Sequence, residues 1–113
     1  MNYVGIDISK LTFDVAIEKD GSYRYYKFSN NLEGFKHLVS VLEDGIEWWC
    51  VMEASGPYYL KLACYLENSG IALSVINPLV IRRFCQMRLM KAKTDKKDAA
   101  MIAEYGKTEK PQA

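Results

Sequence analysis

Strict alternation of side chains over residues 11–19 is the feature that most limits how this chain can fold. Apolar side chains fall on every second residue there, a period that fits a half-buried β-strand and does not fit a helix. The dipeptide Asp20-Gly21 follows and favours a tight hairpin turn. Residues 2–9, 11–19 and 23–28 are therefore predicted as three antiparallel strands. The two alternating sets are Leu11, Phe13, Val15 and Ile17 on one face, and Thr12, Asp14, Ala16 and Glu18 on the other.

After residue 28 the spacing of apolar residues changes to that of a helix. Residues 31–43 carry apolar side chains three and four positions apart, which predicts an amphipathic helix packed on the sheet. Asn30 and Glu33 form a candidate capping box at its start, and Gly45 is a stop signal. Residues 46–52 are almost continuously apolar, so they are predicted as a strand buried on both faces.

A second helix and a fifth strand follow. Gly56-Pro57 predicts the start of a helix that ends at Gly70. Residues 71–76 are predicted as a strand, and the chain beyond them is predicted to be helical but basic to about residue 91.

The last predicted element is a short helix from Thr94 or Asp95 to Tyr105. The complete order is βββ-α-β-α-β-α, which predicts an α/β fold with a mixed five-stranded sheet and flanking helices. Because 113 residues suffice for one core, residues 1–106 are predicted as one domain, and residues 107–113 as a polar tail or the edge of a truncated chain.

Composition places the chain among ordinary globular proteins. The net charge of +1 gives the whole chain no strong attraction to nucleic acid or membrane. The cysteines are odd in number and form no CxxC pair, which predicts reduced, buried thiols in a cytoplasmic protein. They are Cys50, Cys64 and Cys85. The sequence has neither a signal-peptide pattern nor an apolar run near the ~20 residues that cross a bilayer.

Acidic residues stand at three places where a structural role is hard to supply. Asp7 lies within an otherwise apolar strand, Glu53 follows the buried fourth strand, and Asp95 and Asp98 open the final helix. In a mixed sheet the first strand commonly lies beside the strand after the first helix, which brings Asp7 near Glu53. Asp95 and Asp98 share one helix face because they are three residues apart. The four carboxylates are therefore predicted to converge.

Convergence of four carboxylates is unfavourable unless positive charge lies among them. Mg²⁺ or Mn²⁺ supplies that charge, since both prefer oxygen ligands and leave positions open for phosphate. Two ions about 3.5–4 Å apart activate an attacking oxygen and stabilise a leaving oxygen in phosphodiester chemistry. The pattern thus favours a pair of divalent ions held by Asp7, Glu53, Asp95 and Asp98.

Each of these acids also has an ordinary structural interpretation. Asp7 facing solvent on an edge strand needs no metal, and Glu53 suits the positive end of the second helix. Asp95 and Asp98 form a reasonable capping pair at the start of the final helix. Each acid taken alone is compatible with either interpretation. The combination of the four acids and their order along the chain favour metal binding.

Basic residues are concentrated just before the final helix. One interpretation is that they bind phosphates of DNA or RNA beside the acidic cluster. The alternative is a solvated helix face, for which runs of charge are common. The candidate nucleic-acid-binding residues are Arg82, Arg83, Arg88, Lys91 and Lys93.

Four segments together resemble one protein family. They are residues 3–10 (YVGIDISK), 52–58 (MEASGPY), 75–78 (VINP) and 92–99 (AKTDKKDA). In this order they are similar to the N-terminal DEDD domain of the one-ten class of bacterial insertion-sequence transposases, which includes the Piv DNA invertases. The resemblance runs from Tyr3 to about Tyr105, and its most specific part is the last segment.

The resemblance implies a fold, a site and a function. The fold it implies is ribonuclease-H-like, of the RuvC type, and the acidic tetrad it implies is Asp7, Glu53, Asp95 and Asp98. The implied function is metal-dependent cleavage and transfer of DNA strands during transposition. The implied partners are DNA, a structured guide RNA and further copies of the protein, with no membrane.

The family pattern also includes a C-terminal domain with a nucleophilic serine, and this chain stops before it. The chain alone is therefore not expected to complete recombination. Two other functions stay open: a catalytically silent module for nucleic-acid binding or dimerisation, and a sugar- or acetate-kinase-like ATP-binding fragment. The kinase interpretation needs a second phosphate loop and an adenosine-binding glycine motif, and the sequence has neither.

Overall fold

The computed structural model describes residues 2–42, 44–54, 56–77, 79–80 and 95–110, with residues 95–98 described by their backbone only. Five strands and three helices lie in these ranges. The strands are β1 Asn2–Ile8, β2 Thr12–Lys19, β3 Ser22–Ser29, β4 Trp48–Glu53 and β5 Ala72–Ile76. The helices are α1 Leu32–Val41, α2 Leu60–Asn68 and α3 Asp95–Glu109.

The strands form one mixed sheet in the order β3-β2-β1-β4-β5. β1, β2 and β3 are antiparallel neighbours, whereas β1 with β4 and β4 with β5 are parallel. The prediction of a mixed five-stranded sheet with β1 beside the strand after the first helix is confirmed. β1 is thus the central strand, with an antiparallel neighbour on one side and a parallel neighbour on the other.

Alternation within the strands divides the core between the two faces of the sheet. Val4, Phe13 and Met52 belong to the larger core, which α1 and α2 cover. Tyr3, Val51 and Ile76 point to the other face and pack with Ile102 of α3. Within the described residues, no helix combines the length and apolar composition that a bilayer crossing requires.

Close approach of α3 to the sheet depends on Gly5 in the middle of β1. A Cβ atom at this position would overlap the Ala99 carbonyl oxygen and would lie 2.5 Å from the Ala103 amide nitrogen. Gly106 has the same role further along the helix, since a Cβ there would overlap the Val51 side chain. The pair of glycines lets a helix backbone rest directly on the sheet.

Helix ends differ from the prediction in two places. The N-cap of α1 is Asn31, whose side chain accepts a hydrogen bond from the Gly34 amide at 3.0 Å, so the prediction of Asn30 as the cap was wrong. The Asn30 side chain instead donates to the Ser9 carbonyl at 3.0 Å, which ties the start of α1 to the β1–β2 turn. Helix α3 continues to Glu109, beyond the predicted end at Tyr105, and includes residues 107–109 of the predicted tail.

Two side chains are more exposed than predicted. Leu11 lies in the turn before β2 and is 75% exposed, so it does not belong to the apolar face of that strand. Cys64 is exposed on α2, whereas Cys50 is buried as predicted, and burial raises the pKa of the Cys50 thiol to about 12. Cys85 lies outside the described residues.

Replacement of Gly5 should destabilise the chain more than an ordinary glycine substitution. We expect Gly5→Ala to lower the free energy of unfolding by about 3 kcal/mol, because the new methyl group meets helix backbone rather than a flexible side chain. Gly70→Ala is the control: it has open space but a φ of +76°, and should cost about 1 kcal/mol for its left-handed backbone. Urea denaturation measures both, and equal costs would contradict the close-packing argument.

Candidate metal centre

Asp7 and Glu53 lie on adjacent parallel strands, each one residue beyond the paired residues Ile6 and Met52. Parallel neighbours are about 4.8 Å apart, so the two carboxylates are at the same level of the sheet. Both side chains are half-buried. Since Asp7 is two residues after Gly5, and Glu53 two after Val51, both share the sheet face on which α3 packs.

The direction of α3 brings its first turn toward these two residues. Ala99 lies at Gly5, whereas Gly106, further along the helix, lies at Tyr3. The helix therefore runs opposite to β1, and its first residues extend past Gly5 in the direction of Asp7. Asp95 and Asp98 are in this first turn, and their side chains lie outside the described part of the structure.

A further carboxylate, which the sequence analysis did not single out, lies in the same row. Asp14 of β2 is the antiparallel partner of Asp7, and paired residues face the same side of a sheet. Its carboxylate is 3.3 Å from the Nζ atom of Lys27, its partner on β3. The available signal was the alternation over residues 11–19, which puts Asp14 on the face of β2 opposite to Phe13 and Val15.

The residues in this row suit a hard divalent cation. Asp14, Asp7 and Glu53 are carboxylates on successive strands, and like charges directly opposite one another destabilise a sheet. Carboxylate oxygens are also the ligands that Mg²⁺ and Mn²⁺ prefer. Among the described side chains, which exclude Asp95 and Asp98, no three possible ligands come together closely enough to hold a metal ion. The sheet thus offers part of a ligand set.

Two side-chain contacts fix the other end of α3 against the sheet. The Tyr23 hydroxyl of β3 donates a short hydrogen bond to Glu104. The Nζ atom of Lys107 lies 2.6 Å from the Glu18 carboxylate on β2. Burial, and next the Glu104 hydrogen bond, raise the pKa of Tyr23 far above its usual value, while the Glu18 hydrogen bond raises the pKa of Lys107. These contacts hold α3 across the hairpin strands as well as across β1.

The predicted nucleic-acid-binding residues lie outside the described residues. They are Arg82, Arg83, Arg88, Lys91 and Lys93. The basic stretch therefore stays a prediction.

Known proteins match this chain over almost its entire length. A family model for the DEDD domain of IS110-type elements, described as "Transposase", matches residues 4–112. The "Pilin gene-inverting protein" of Moraxella bovis is 34% identical over 96% of the chain, and the protein of that name from Moraxella lacunata has the same identity and coverage. The chain belongs to the DEDD transposase family, as the sequence motifs predicted.

The chain spans about a third of the length of these relatives, covering 35% of each. Among solved structures, a Ppx/GppA family protein of Aquifex aeolicus aligns with 79% of this chain and 39% of its own. Its TM-score is 0.42 at 16% sequence identity. That likeness is too distant to carry an argument about function.

Removal of the Tyr23 hydroxyl should have an effect that depends on pH. We expect Tyr23→Phe to lower the free energy of unfolding by about 1–2 kcal/mol at pH 7, because Glu104 loses its hydrogen-bond donor. Above pH 10 the unfolded Tyr23 loses its proton while the folded one keeps it, so the wild type loses stability and the gap narrows. Urea denaturation at a series of pH values measures the gap.

The matched control is Tyr26→Phe, the same change on the opposite face of β3. At pH 7 it shows what loss of a tyrosine hydroxyl costs without the Glu104 contact. A Tyr23→Phe gap that stays constant above pH 10 would contradict the assignment of the raised pKa to Tyr23.

Proposed function

We propose that this chain is the metal-binding catalytic domain of a DNA transposase or invertase, and that Asp7, Glu53, Asp95 and Asp98 hold divalent cations, Mg²⁺ or Mn²⁺, in its site. Membership of the DEDD transposase family supports a recombinase that cleaves and joins DNA, and implies divalent metal. The observation that carries the proposal is the register that aligns Asp7 with Glu53 on the α3 face of the sheet.

The backbone position of α3 supports the choice of Asp95 and Asp98 as the other two ligands. Packing of Ala99 on Gly5 directs the turn that contains Asp95 and Asp98 toward the Asp7 end of β1. In the proposed ligand set, sheet and helix each contribute two acids. Such a set supplies oxygen ligands from two rigid elements, and Mg²⁺ sites commonly use a few carboxylates and leave the remaining positions to water and phosphate.

In the proposed site the bound ions supply charge that stabilises oxygen atoms on the scissile phosphate. Pairing of β1 with β4 holds the backbones of Asp7 and Glu53 at a fixed separation. Asp95 and Asp98 complete the set from the first turn of α3, whose position the Gly5 contact determines.

We further propose that DNA is the substrate and that the activity needs chain beyond these 113 residues. The relatives are named for inversion of a pilin gene and are about three times as long as the matched region. A structured guide RNA and a homo-oligomeric assembly are proposals of the same kind, drawn from the family resemblance. The chain alone is expected to bind metal without completing recombination.

Metal binding tests the proposal directly. We expect isothermal titration calorimetry with Mn²⁺ to detect binding to the wild type, and Asp7→Asn to weaken it at least about tenfold, because a neutral amide is a poor substitute for a charged ligand. Asp44→Asn is the control, since Asp44 lies exposed in the turn between α1 and β4. Equal Mn²⁺ binding by wild type and Asp7→Asn would overturn the proposed site.

The same substitution should have opposite effects on stability with and without metal. In EDTA we expect Asp7→Asn to raise the free energy of unfolding by up to about 1 kcal/mol, because Asp7 directly opposes Asp14. With Mn²⁺ at about a hundred times the wild-type dissociation constant, the wild type should gain about 2.7 kcal/mol, whereas a variant that binds tenfold more weakly should gain only about 1.4 kcal/mol. Urea denaturation under both conditions measures the reversal. A variant less stable than the wild type in EDTA would count against repulsion within the row.

A further inference from the structure

The face of β2 and β3 beside the acidic row carries a cation and an aromatic ring that the proposed metal site does not use. Lys27 and Tyr25 are two residues apart on β3, so they share a face and are separated by about 7 Å along the strand. Their partners on β2 are Asp14 and Ala16, which belong to the α3 face. Lys27 and Tyr25 therefore lie on the same side of the sheet as Asp7.

The position of Lys27 relative to Asp7 relates this face of the sheet to the proposed metal site. Lys27 pairs with Asp14, and Asp14 pairs with Asp7, so the three residues form one row across β3, β2 and β1. Two strand spacings place the Lys27 backbone about 10 Å from that of Asp7. A phosphate next to one held at the proposed metal site would lie within reach of a lysine side chain at this distance.

Exposure and charge favour a ligand with phosphate groups. The Lys27 side chain is 56% exposed, whereas its partner Asp14 is 14% exposed. The less exposed Asp14 carboxylate therefore contacts one side of the Lys27 ammonium, with 3.3 Å between the Oδ1 and Nζ atoms. The other side of the ammonium faces solvent. A lysine ammonium has three donors, so it can contact a phosphate while it stays beside the carboxylate.

An aromatic surface adjoins this cation. Tyr25 is 41% exposed, and a cavity of about 120 Å³ is lined by Asp14, Tyr25 and Lys27 together with Val15 and Tyr26. Proteins that bind single-stranded nucleic acid combine cations for the backbone with aromatic rings on which bases stack. Lys27 and Tyr25 provide one of each in adjacent positions.

We propose that Tyr25 and Lys27 bind one unpaired DNA strand and lead it to the carboxylates at Asp7 and Glu53. The inference rests on the proposed function, because DNA is chosen over other polyanions as the strand that the metal site would act on. In this arrangement Lys27 contacts a phosphate beside the scissile one, and a base or sugar stacks on Tyr25. Asp14 is a positioning residue that directs Lys27.

Binding of a fluorescent single-stranded DNA oligonucleotide to the full chain tests this proposal, with Mg²⁺ and with EDTA. We expect Lys27→Gln to weaken binding severalfold and to reduce the slope of log K against log salt by about 0.7, the value for one phosphate contact on a single strand. Lys27→Arg should keep the wild-type slope. Lys36→Gln, on α1 at the opposite face of the sheet, should change neither affinity nor slope.

Tyr25 supplies a second, independent readout. Tyr25→Leu should weaken binding about fivefold or more, as loss of one stacked base does, whereas Tyr25→Phe should bind as the wild type does. Thermal melting of the two Tyr25 variants should match the wild type, since Tyr25 is exposed on an edge strand.

Three results would overturn the inference: no DNA binding by the wild type, an unchanged salt slope in Lys27→Gln, or tighter binding of RNA of the same sequence.

The failure of this inference is distinguishable from failure of the metal site. Loss of Mn²⁺ binding in Asp7→Asn alongside unaffected DNA binding in Lys27→Gln removes only the strand-binding patch. Retained Mn²⁺ binding in Asp7→Asn alongside weakened DNA binding in Lys27→Gln removes only the metal site.

Discussion

Contact between the backbone of α3 and the middle of β1 is the constraint on which the candidate site depends. Gly5 leaves space for the Ala99 carbonyl, and Gly106 leaves space for Val51, so the helix lies directly on the sheet. This contact sets how far the first turn of α3 reaches beyond Gly5 toward Asp7. The contacts of Glu18 with Lys107 and of Tyr23 with Glu104 hold the distant end of the same helix. Helix orientation is thus fixed from both ends before any ligand binds.

Electrostatics explains why such a rigid arrangement is useful. The sheet places the carboxylates of Asp14, Asp7 and Glu53 on neighbouring strands, where they repel one another in the absence of cations. Lys27 balances Asp14, the member of the row furthest from Glu53. The carboxylates of Asp7 and Glu53 are suited to divalent ions, and in our proposal the acids of α3 complete the coordination. In our proposal the same grouping of carboxylates favours metal binding, and a bound metal would attract phosphate.

Patterns within one element and general rules of sheet connection predicted most of this fold, whereas the close packing of α3 on the sheet was not predictable from the sequence. Alternation over residues 11–19 and the hairpin at Asp20-Gly21 specify β2 and β3 because both act through neighbouring residues. The adjacency of β1 and β4 followed from general rules of sheet connection. Gly5 gave no signal for its contact with α3, since that contact spans more than ninety residues of chain. The choice between Asn30 and Asn31 as the cap depended on tertiary hydrogen bonds of Asn30.

The central claim is that acids from the sheet and from the first turn of α3 share one metal site. An anomalous difference map from a crystal of this chain grown with Mn²⁺ tests it most directly. The account predicts a peak at about 2.1 Å from carboxylate oxygens of both Asp7 and Glu53, with Asp95 or Asp98 as a further ligand. A map with Mn²⁺ bound only elsewhere on the chain, and none at Asp7, would contradict it.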